Sequence, residues 1–187
     1  RVFDPACGSG NFLVIAYKQL RALEYEINQK LNQKLNQSKL SSTIPITNFR
    51  GIELSDFPAQ IARVAMWLAD HQMNMLVSQH YGTHFARIPL KASADIQNDN
   101  ALKIMWAAVD YIFGNPPFVG SKLMSPEQKE SFNKISNVVA NSGILDFVSA
   151  WHLKATEYMK ANPHVETAFV STNSITQGEQ VAALWDY

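Results

Sequence analysis

The sequence predicts an α/β fold, with a mostly parallel sheet and helices on both faces. Three observations predict it. Short β-type runs alternate with segments of helical period along the whole chain. Turn residues, chiefly glycine, proline, asparagine and aspartate, separate the two kinds of segment. The residues best suited to chemistry, Asp4 to Gly10, Glu53, Asp99 and Asn115 to Phe118, all fall just after β-type runs. Parallel sheets bind ligands beyond those carboxyl ends.

The elements follow in order. Val2-Phe3 is the tail of a short buried strand. Asp4-Pro-Ala-Cys-Gly-Ser-Gly10 is a turn with two glycines, and a helix starts near Asn11. Leu20, Leu23, Ile27, Leu31 and Leu35 recur at the helical interval. The last two close a small tandem repeat, Asn28-Gln-Lys-Leu31 and Asn32-Gln-Lys-Leu35, which reads as a solvated helix extension. Residues 38–48 form a loop. Phe49 to Glu53 is a second strand. Asp56-Phe57-Pro58 starts a helix, with Asp56 as cap and proline in the first turn. Ile61, Ala65, Leu68 and Leu76 mark its buried stripe, and Met66, Met73 and Met75 are packing residues. Ile88 to Ala92 is an edge strand that tolerates Pro89, followed by Asp95, Asn98 and Asp99. Tyr111 to Phe113 is a central strand. Pro126 to Ser136 is a short helix inside a polar insertion over 119–143. Asp146 to Lys160 is an amphipathic helix, Thr167 to Ser171 a strand, and a helix restarts at Gln180.

The bulk numbers bound the function. The 187 residues suit one domain with a sizeable core. A formal net charge of zero leaves no electrostatic footprint for nucleic acid on this segment, although charge can sit in another domain. One cysteine, Cys7, rules out an internal disulfide and fits a reducing, cytoplasmic compartment. No run is long and apolar enough to span a bilayer and no signal peptide is visible, so no membrane partner is expected. Arg1-Val-Phe-Asp4 reads as the middle of an element, and Leu184 to Tyr187 carries no helix stop. A larger chain, truncated here at both ends, is expected.

Gly8-Ser-Gly10 lets the backbone approach a ligand closely and opens onto a helix N-terminus. A dinucleotide fingerprint would place a third glycine at position 13, where this sequence has Leu13. Asp4 would repel a phosphate but suits a ligand with a positive amino group. An acidic residue at the end of the second strand, here Glu53, accepts from ribose hydroxyls in such folds. One of Asp95, Asn98 and Asp99 can hydrogen-bond an adenine edge. Together these describe a pocket for an adenosine with a cationic, amino-acid-like tail.

Asp4-Pro-Ala-Cys-Gly-Ser-Gly-Asn-Phe12 followed by Asn115-Pro-Pro-Phe118 resembles the signature of S-adenosylmethionine-dependent DNA methyltransferases acting on exocyclic amino groups, adenine-specific ones above all. The segment from Asn115 to Ser171, with Thr172-Asn-Ser-Ile-Thr-Gln-Gly-Glu179, further resembles large single-chain enzymes that fuse restriction and modification. The resemblance implies a Rossmann-like class I methyltransferase fold. It implies a cofactor site at Asp4, Ala6, Cys7, Gly8, Gly10, Asn11, Phe12, Glu53, Leu54, Asp99 and Asn100. It implies a catalytic site at Asn115, Pro116, Pro117 and Phe118. Double-stranded DNA would be bound mostly through domains outside 1–187, including a target-recognition domain and a possible fused endonuclease. An N-terminal helix closing the cofactor pocket and the last sheet strands are expected outside it too.

Residue chemistry agrees with that implication. Adenine's amino group is a poor nucleophile, because its lone pair is delocalised into the ring. Two acceptors aimed at its N–H bonds shift density back to nitrogen, and Asn115 and Pro116 offer a side-chain and a backbone carbonyl. Preorganised groups of this kind are worth about 3 kcal/mol each. Pro116-Pro117 fixes φ at two positions and removes competing donors. Phe118 offers a face for a flipped base, worth about 1–3 kcal/mol. Methylation at carbon 5 of cytosine would need a cysteine in this turn, and the one cysteine is Cys7. Cytosine amino methylation, methylation of ribosomal RNA guanine or of protein glutamine, and a degenerate methyltransferase fold kept as a binding module remain open at this point. The family pattern for RNA and glutamine closes with Tyr, and this chain has Phe118.

His80 and His84 have a metal-ligand spacing, but Gly82 between them argues against a helix and no third ligand is apparent, so no metal is expected. The run Pro126-Glu-Gln-Lys-Glu130 reads as a solvated helix start, or as a flap over the base pocket with Lys122 and Lys129 near phosphate.

Overall fold

A computed structural model describes residues 1–35, 43–81 and 93–186. The strands are β1 (Val2–Asp4), β2 (Phe49–Glu53), β3 (Asp95–Asn98), β4 (Tyr111–Gly114) and β5 (Glu166–Phe169). The helices are α1 (Asn11–Leu35), α2 (Asp56–Tyr81), α3 (Pro126–Ser136), α4 (Ser149–Ala161) and α5 (Gln180–Trp185). All pairings are parallel, in the order β3-β2-β1-β4-β5. The chain thus steps outward from β1 to β3, then returns to the other side of β1. That reversal creates a switch point between β1 and β4, where the loops after the two strands diverge and leave a crevice.

Side chains alternate across the sheet and feed two cores. Val2 and Phe49 join Leu13 and Tyr17 of α1 and Ala62, Met66 and Met73 of α2 on one face. Phe3, Ile52 and Ile112 join Trp151 and Leu153 of α4 and Phe132 of α3 on the other. Helices therefore cover both faces, and Leu13, where a dinucleotide site would have glycine, is fully buried core.

A polar network lies between α1 and α2. Tyr17 Oη donates to Asp70 Oδ1 at 2.5 Å, Arg21 Nη1 to Tyr17 Oη at 2.6 Å and Arg21 Nη2 to Asn74 Oδ1 at 3.0 Å. Burial pushes the Tyr17 phenol well above its ordinary pKa. A buried charge pair satisfied in this way orients two long helices, and removing either partner would cost about 3–5 kcal/mol.

Several expectations need correcting. The buried stripe of α2 is Ala59, Ala62, Met66, Ala69 and Met73, whereas Ile61, Leu68 and Leu76 are 38%, 44% and 58% exposed and Ala65 is half-buried. The small residues face inward because the backbone of the Gly10 turn comes close: a Cβ on Gly10 would lie 3.1 Å from Ala62 Cβ. Met75 is exposed and is not a packing residue. Asp56 opens α2 as its first residue, not as a cap before it. Asp95 and Asn98 belong to β3 itself, and only Asp99 follows it, because these polar residues sit on an edge strand with only Ile96 fully buried. The strand expected at 88–92 lies outside the described residues, as do Gly82 and His84. So does part of the 38–48 loop, which ends in a 3-10 turn over Ile46–Asn48. The helix expected from Asp146 starts at Ser149, and the strand expected over 167–171 runs over 166–169. The tandem repeat does extend α1, with Leu31 exposed.

Candidate active site

The loop after β1 is shaped by two glycines with positive φ, Gly8 at 53° and Gly10 at 86°. Residues with a Cβ rarely adopt such angles. Gly10 N donates to Cys7 O at 2.8 Å, and Gly10 O accepts from Val14 N at 2.8 Å, which starts α1. A Cβ on Gly8 would meet nothing within 4 Å, so the turn faces open space there. Asn11 and Phe12, at the helix start, are exposed, and Phe12 lies 6.3 Å centroid to centroid from Phe113.

Glu53 ends β2 beside this turn. Its Oε2 accepts from Gly8 N at 3.0 Å and its Oε1 from Ser55 N at 2.9 Å. Asn98 Nδ2 donates to the carbonyls of Glu53 and Leu54, and Asp99 N donates to Glu53 O. The ends of β1, β2 and β3 are thereby tied edge to edge. Leu54 projects into solvent, and Asp99 Oδ1 accepts from Asn100 N at 2.7 Å.

Asp4 is placed differently from expectation. It is 1% exposed, beneath the turn, with Oδ1 accepting from Ala6 N at 3.0 Å. The accessible carboxylates at this edge are therefore those of Glu53 and Asp99. Burial, and then the negative charge of Glu53, push the Asp4 pKa up to about 7, against the pull of the Ala6 N–H. Cys7 is buried against Gly51, with its pKa pushed up to about 12, chiefly by burial. It is a packing thiol, not a nucleophile.

Across the switch point, β4 ends at Gly114 and releases Asn115, which is exposed. Pro116 is fully buried and anchors the turn, while Pro117 and Phe118 are exposed, Phe118 by 46%. The two halves meet at one point: a Cβ on Gly114 would lie 2.4 Å from Asp4 Oδ1. Parallel pairing places Asp4, Glu53, Asn98 and Gly114 on one edge of the sheet.

The model of the family described as "MmeI, DNA-methyltransferase domain" matches residues 1–187. The chain belongs to that family. DNA methyltransferase A of Bacillus subtilis (strain 168) is 40% identical over all of this chain, which spans 22% of that protein. The type IIL restriction-modification enzyme MmeI, solved in complex with DNA, is 48% identical with a TM-score of 0.91, covering 99% of this chain and 26% of its own. The type ISP enzyme LlaGI shares the fold at a TM-score of 0.64 and 14% identity, over 98% of this chain and 16% of its own. The chain thus spans about a quarter of the length of DNA methyltransferase A and of MmeI.

In this MmeI-type domain, sequence reading passed over three positions at the site or bracing the segment after β3. Gly114 is one, signalled by a glycine at a strand end. Ser131 of α3 is another: its Oγ accepts from Asn100 Nδ2 at 3.2 Å, linking the loop after β3 to the insertion over 119–143. The third is Lys154, whose Nζ donates to the carbonyls of Ala101 and Ile104 at 2.6 and 2.5 Å and lies over the Trp106 ring. Burial pushes its pKa down to about 8. No sequence signal marked it, since its partners are backbone atoms far along the chain.

The Asp4 shift predicts a pH dependence. The folded state holds the Asp4 proton up to about pH 7, whereas an unfolded chain releases it near 3.8. Between those values the folded state binds more protons, so ligand-free stability falls as pH rises, then levels off above pH 7. Asp4→Asn removes this slope and stabilises the ligand-free protein at pH 8 by at most about 4 kcal/mol. Thermal unfolding of the full-length gene product at pH 5 and pH 8 checks this; an unchanged pH slope in the variant would contradict it.

Proposed function

We propose that this domain transfers a methyl group from S-adenosylmethionine to the exocyclic amino group of adenine in DNA, after flipping the base. The observation that carries the reading is the pairing of an open glycine turn after β1 with an exposed Asn115 after β4, across the switch point of a parallel sheet. The residues present fit that cofactor. Gly8 leaves space no side chain fills, Glu53 offers carboxylate lone pairs beyond its two N–H contacts, and Leu54 and Phe12 are exposed apolar surfaces beside it. Asp99 and Asn100, after β3, are the polar groups that would meet the adenine.

When bound, the cofactor supplies an already electrophilic methyl group, so the chain needs no activated nucleophile. Asn115 and the Pro116 carbonyl accept from the two N–H bonds of the target amino group and raise the electron density on its nitrogen. Phe118 stacks on the extruded base. Buried Pro116 holds the turn still, so little reorganisation is needed as charge develops. Once nitrogen has gained the methyl group, it releases one of its protons to solvent, and the same acceptors steady the N–H that remains.

DNA would be held largely by parts of the enzyme outside 1–187, which also carry sequence recognition, in a restriction-modification or phage-defence context. No helix among the described residues is long and apolar enough to cross a membrane, and action on cellular DNA places the enzyme in the cytoplasm. Methylation mapping of DNA from cells expressing the full-length gene is expected to show N6-methyladenine in one sequence context. Methyl groups found only in RNA or protein, or only on cytosine, would overturn the reading.

A further inference from the structure

The stretch Thr172-Asn-Ser-Ile-Thr-Gln-Gly-Glu179 has no part in the site described so far, yet the structure connects it to the catalytic turn through one side chain. Asp146 lies just before α4. Its Oδ1 accepts from Ser121 N at 3.3 Å, and its Oδ2 accepts from Ser174 Oγ at 2.9 Å. Asp146 N donates to Gln180 Oε1 at 3.0 Å. The next residue, Phe147, donates its N–H to Val119 O at 2.8 Å. The strand of chain leaving Phe118 is thus fastened at its first and third following residues, both times to the pair 146–147.

The other end of this linkage is firmly seated. Ser174 lies in a 3-10 turn over Asn173–Ile175, and Thr172 Oγ1 lies 2.6 Å from Ser174 Oγ. Ile175 is buried in the same core as Leu145 and Phe147, and its carbonyl accepts from Trp185 Nε1 of α5. Because β4 and β5 are neighbours, the loops after both strands leave from the same edge. One carboxylate that accepts from the Ser121 N–H, in a long contact, and from the Ser174 hydroxyl ties the two loops together. Phe118 itself is 46% exposed, and the chain that leaves it is the segment tied to 146–147.

We propose that Asp146, held by the 172–180 loop, is a positioning residue that sets the place of Phe118 and so the seat of the target base. This rests on the reading of Asn115 to Phe118 as the base-holding turn. Asp146 touches neither base nor cofactor.

The test uses the full-length gene product with Asp146→Ala, Asp146→Asn and Ser174→Ala. Asp146→Ala leaves Ser121 N–H without its acceptor, so hydrogen exchange at amides 119–123 in the cofactor-free protein should quicken about tenfold or more while β1 amides hold their rate. Methylation kcat should fall about 30-fold or more with S-adenosylmethionine affinity within about twofold, as expected for a group acting on geometry at the reacting centre. Asp146→Asn keeps an acceptor for Ser121 and should recover most of the rate; Ser174→Ala should fall between the two. Unchanged exchange at 119–123 in both Asp146→Ala and Ser174→Ala, or an unchanged kcat in both, overturns the proposal. A wild-type enzyme that methylates no adenine overturns the functional reading instead, and the exchange measurement then decides the role of Asp146 by itself.

Discussion

Replacing Asn115 with alanine is expected to lower kcat for methyl transfer by about 10²–10³-fold while cofactor affinity stays within about threefold. The split follows from position. Asn115 stands exposed beyond β4, on the far side of the switch point from the Gly8 turn and Glu53. In the proposed reaction it would contribute an acceptor that matters only when the amino nitrogen becomes tetrahedral and its N–H bonds grow more acidic. An interaction that strengthens only in the transition state changes kcat and leaves ground-state binding alone. Asn115→Asp keeps an acceptor at the same reach and should lose much less. Single-turnover methylation and calorimetric titration of S-adenosylmethionine with the full-length enzyme measure the two quantities separately. Parallel loss of both would mean that Asn115 serves the cofactor pocket.

Gly114→Ala is expected to be the most damaging single methyl group that can be added near the site. Its Cβ would lie 2.4 Å from Asp4 Oδ1 and 3.0 Å from Asp4 Cγ. Asp4 cannot yield, since it is buried and its Oδ1 is engaged by Ala6 N. Overpacking of this kind costs about 1–3 kcal/mol. The strain would also displace Asn115, the next residue, so activity should fall with stability. Asp4→Ala removes the clashing atoms, and the double variant should recover part of the stability lost by Gly114→Ala. Hydrogen-exchange protection of β1 and β4 amides in the four proteins of this cycle reads the coupling. Strictly additive losses would show that the two residues are not in contact.

These two positions also mark how far the sequence can be read. The Gly8 and Gly10 turn, the end of β2 at Glu53, the release of Asn115 after a strand and the α3 helix were all legible. Each depends on neighbours within a few residues. Ser125 and Gln128, for instance, form a capping box, with Pro126 as the first helical residue, that starts α3 where proline and polar residues predict it. The inward face of α2 was legible only at Met66 and Met73, because hydrophobicity also pointed to Ile61, Leu68 and Leu76, whereas close approach of the Gly10 turn selected a small residue at Ala62. Asp4 was read as an open carboxylate for the same reason: nothing in its local sequence reports that Gly114 closes over it.

What the sequence determined by itself is the alternation of strands and helices and the identity of the groups at the strand ends. Periodicity, glycine φ and proline's missing donor act over one or two turns of chain. What only the tertiary structure decided is which of those groups face each other. The order β3-β2-β1-β4-β5 sets Asn115 across a crevice from Gly8, buries the Asp4 carboxylate under Gly114, and brings Ser174 to Asp146 and Asp146 to Ser121. Those contacts join residues far apart in the chain, and the lateral order of the strands is set only when the sheet assembles.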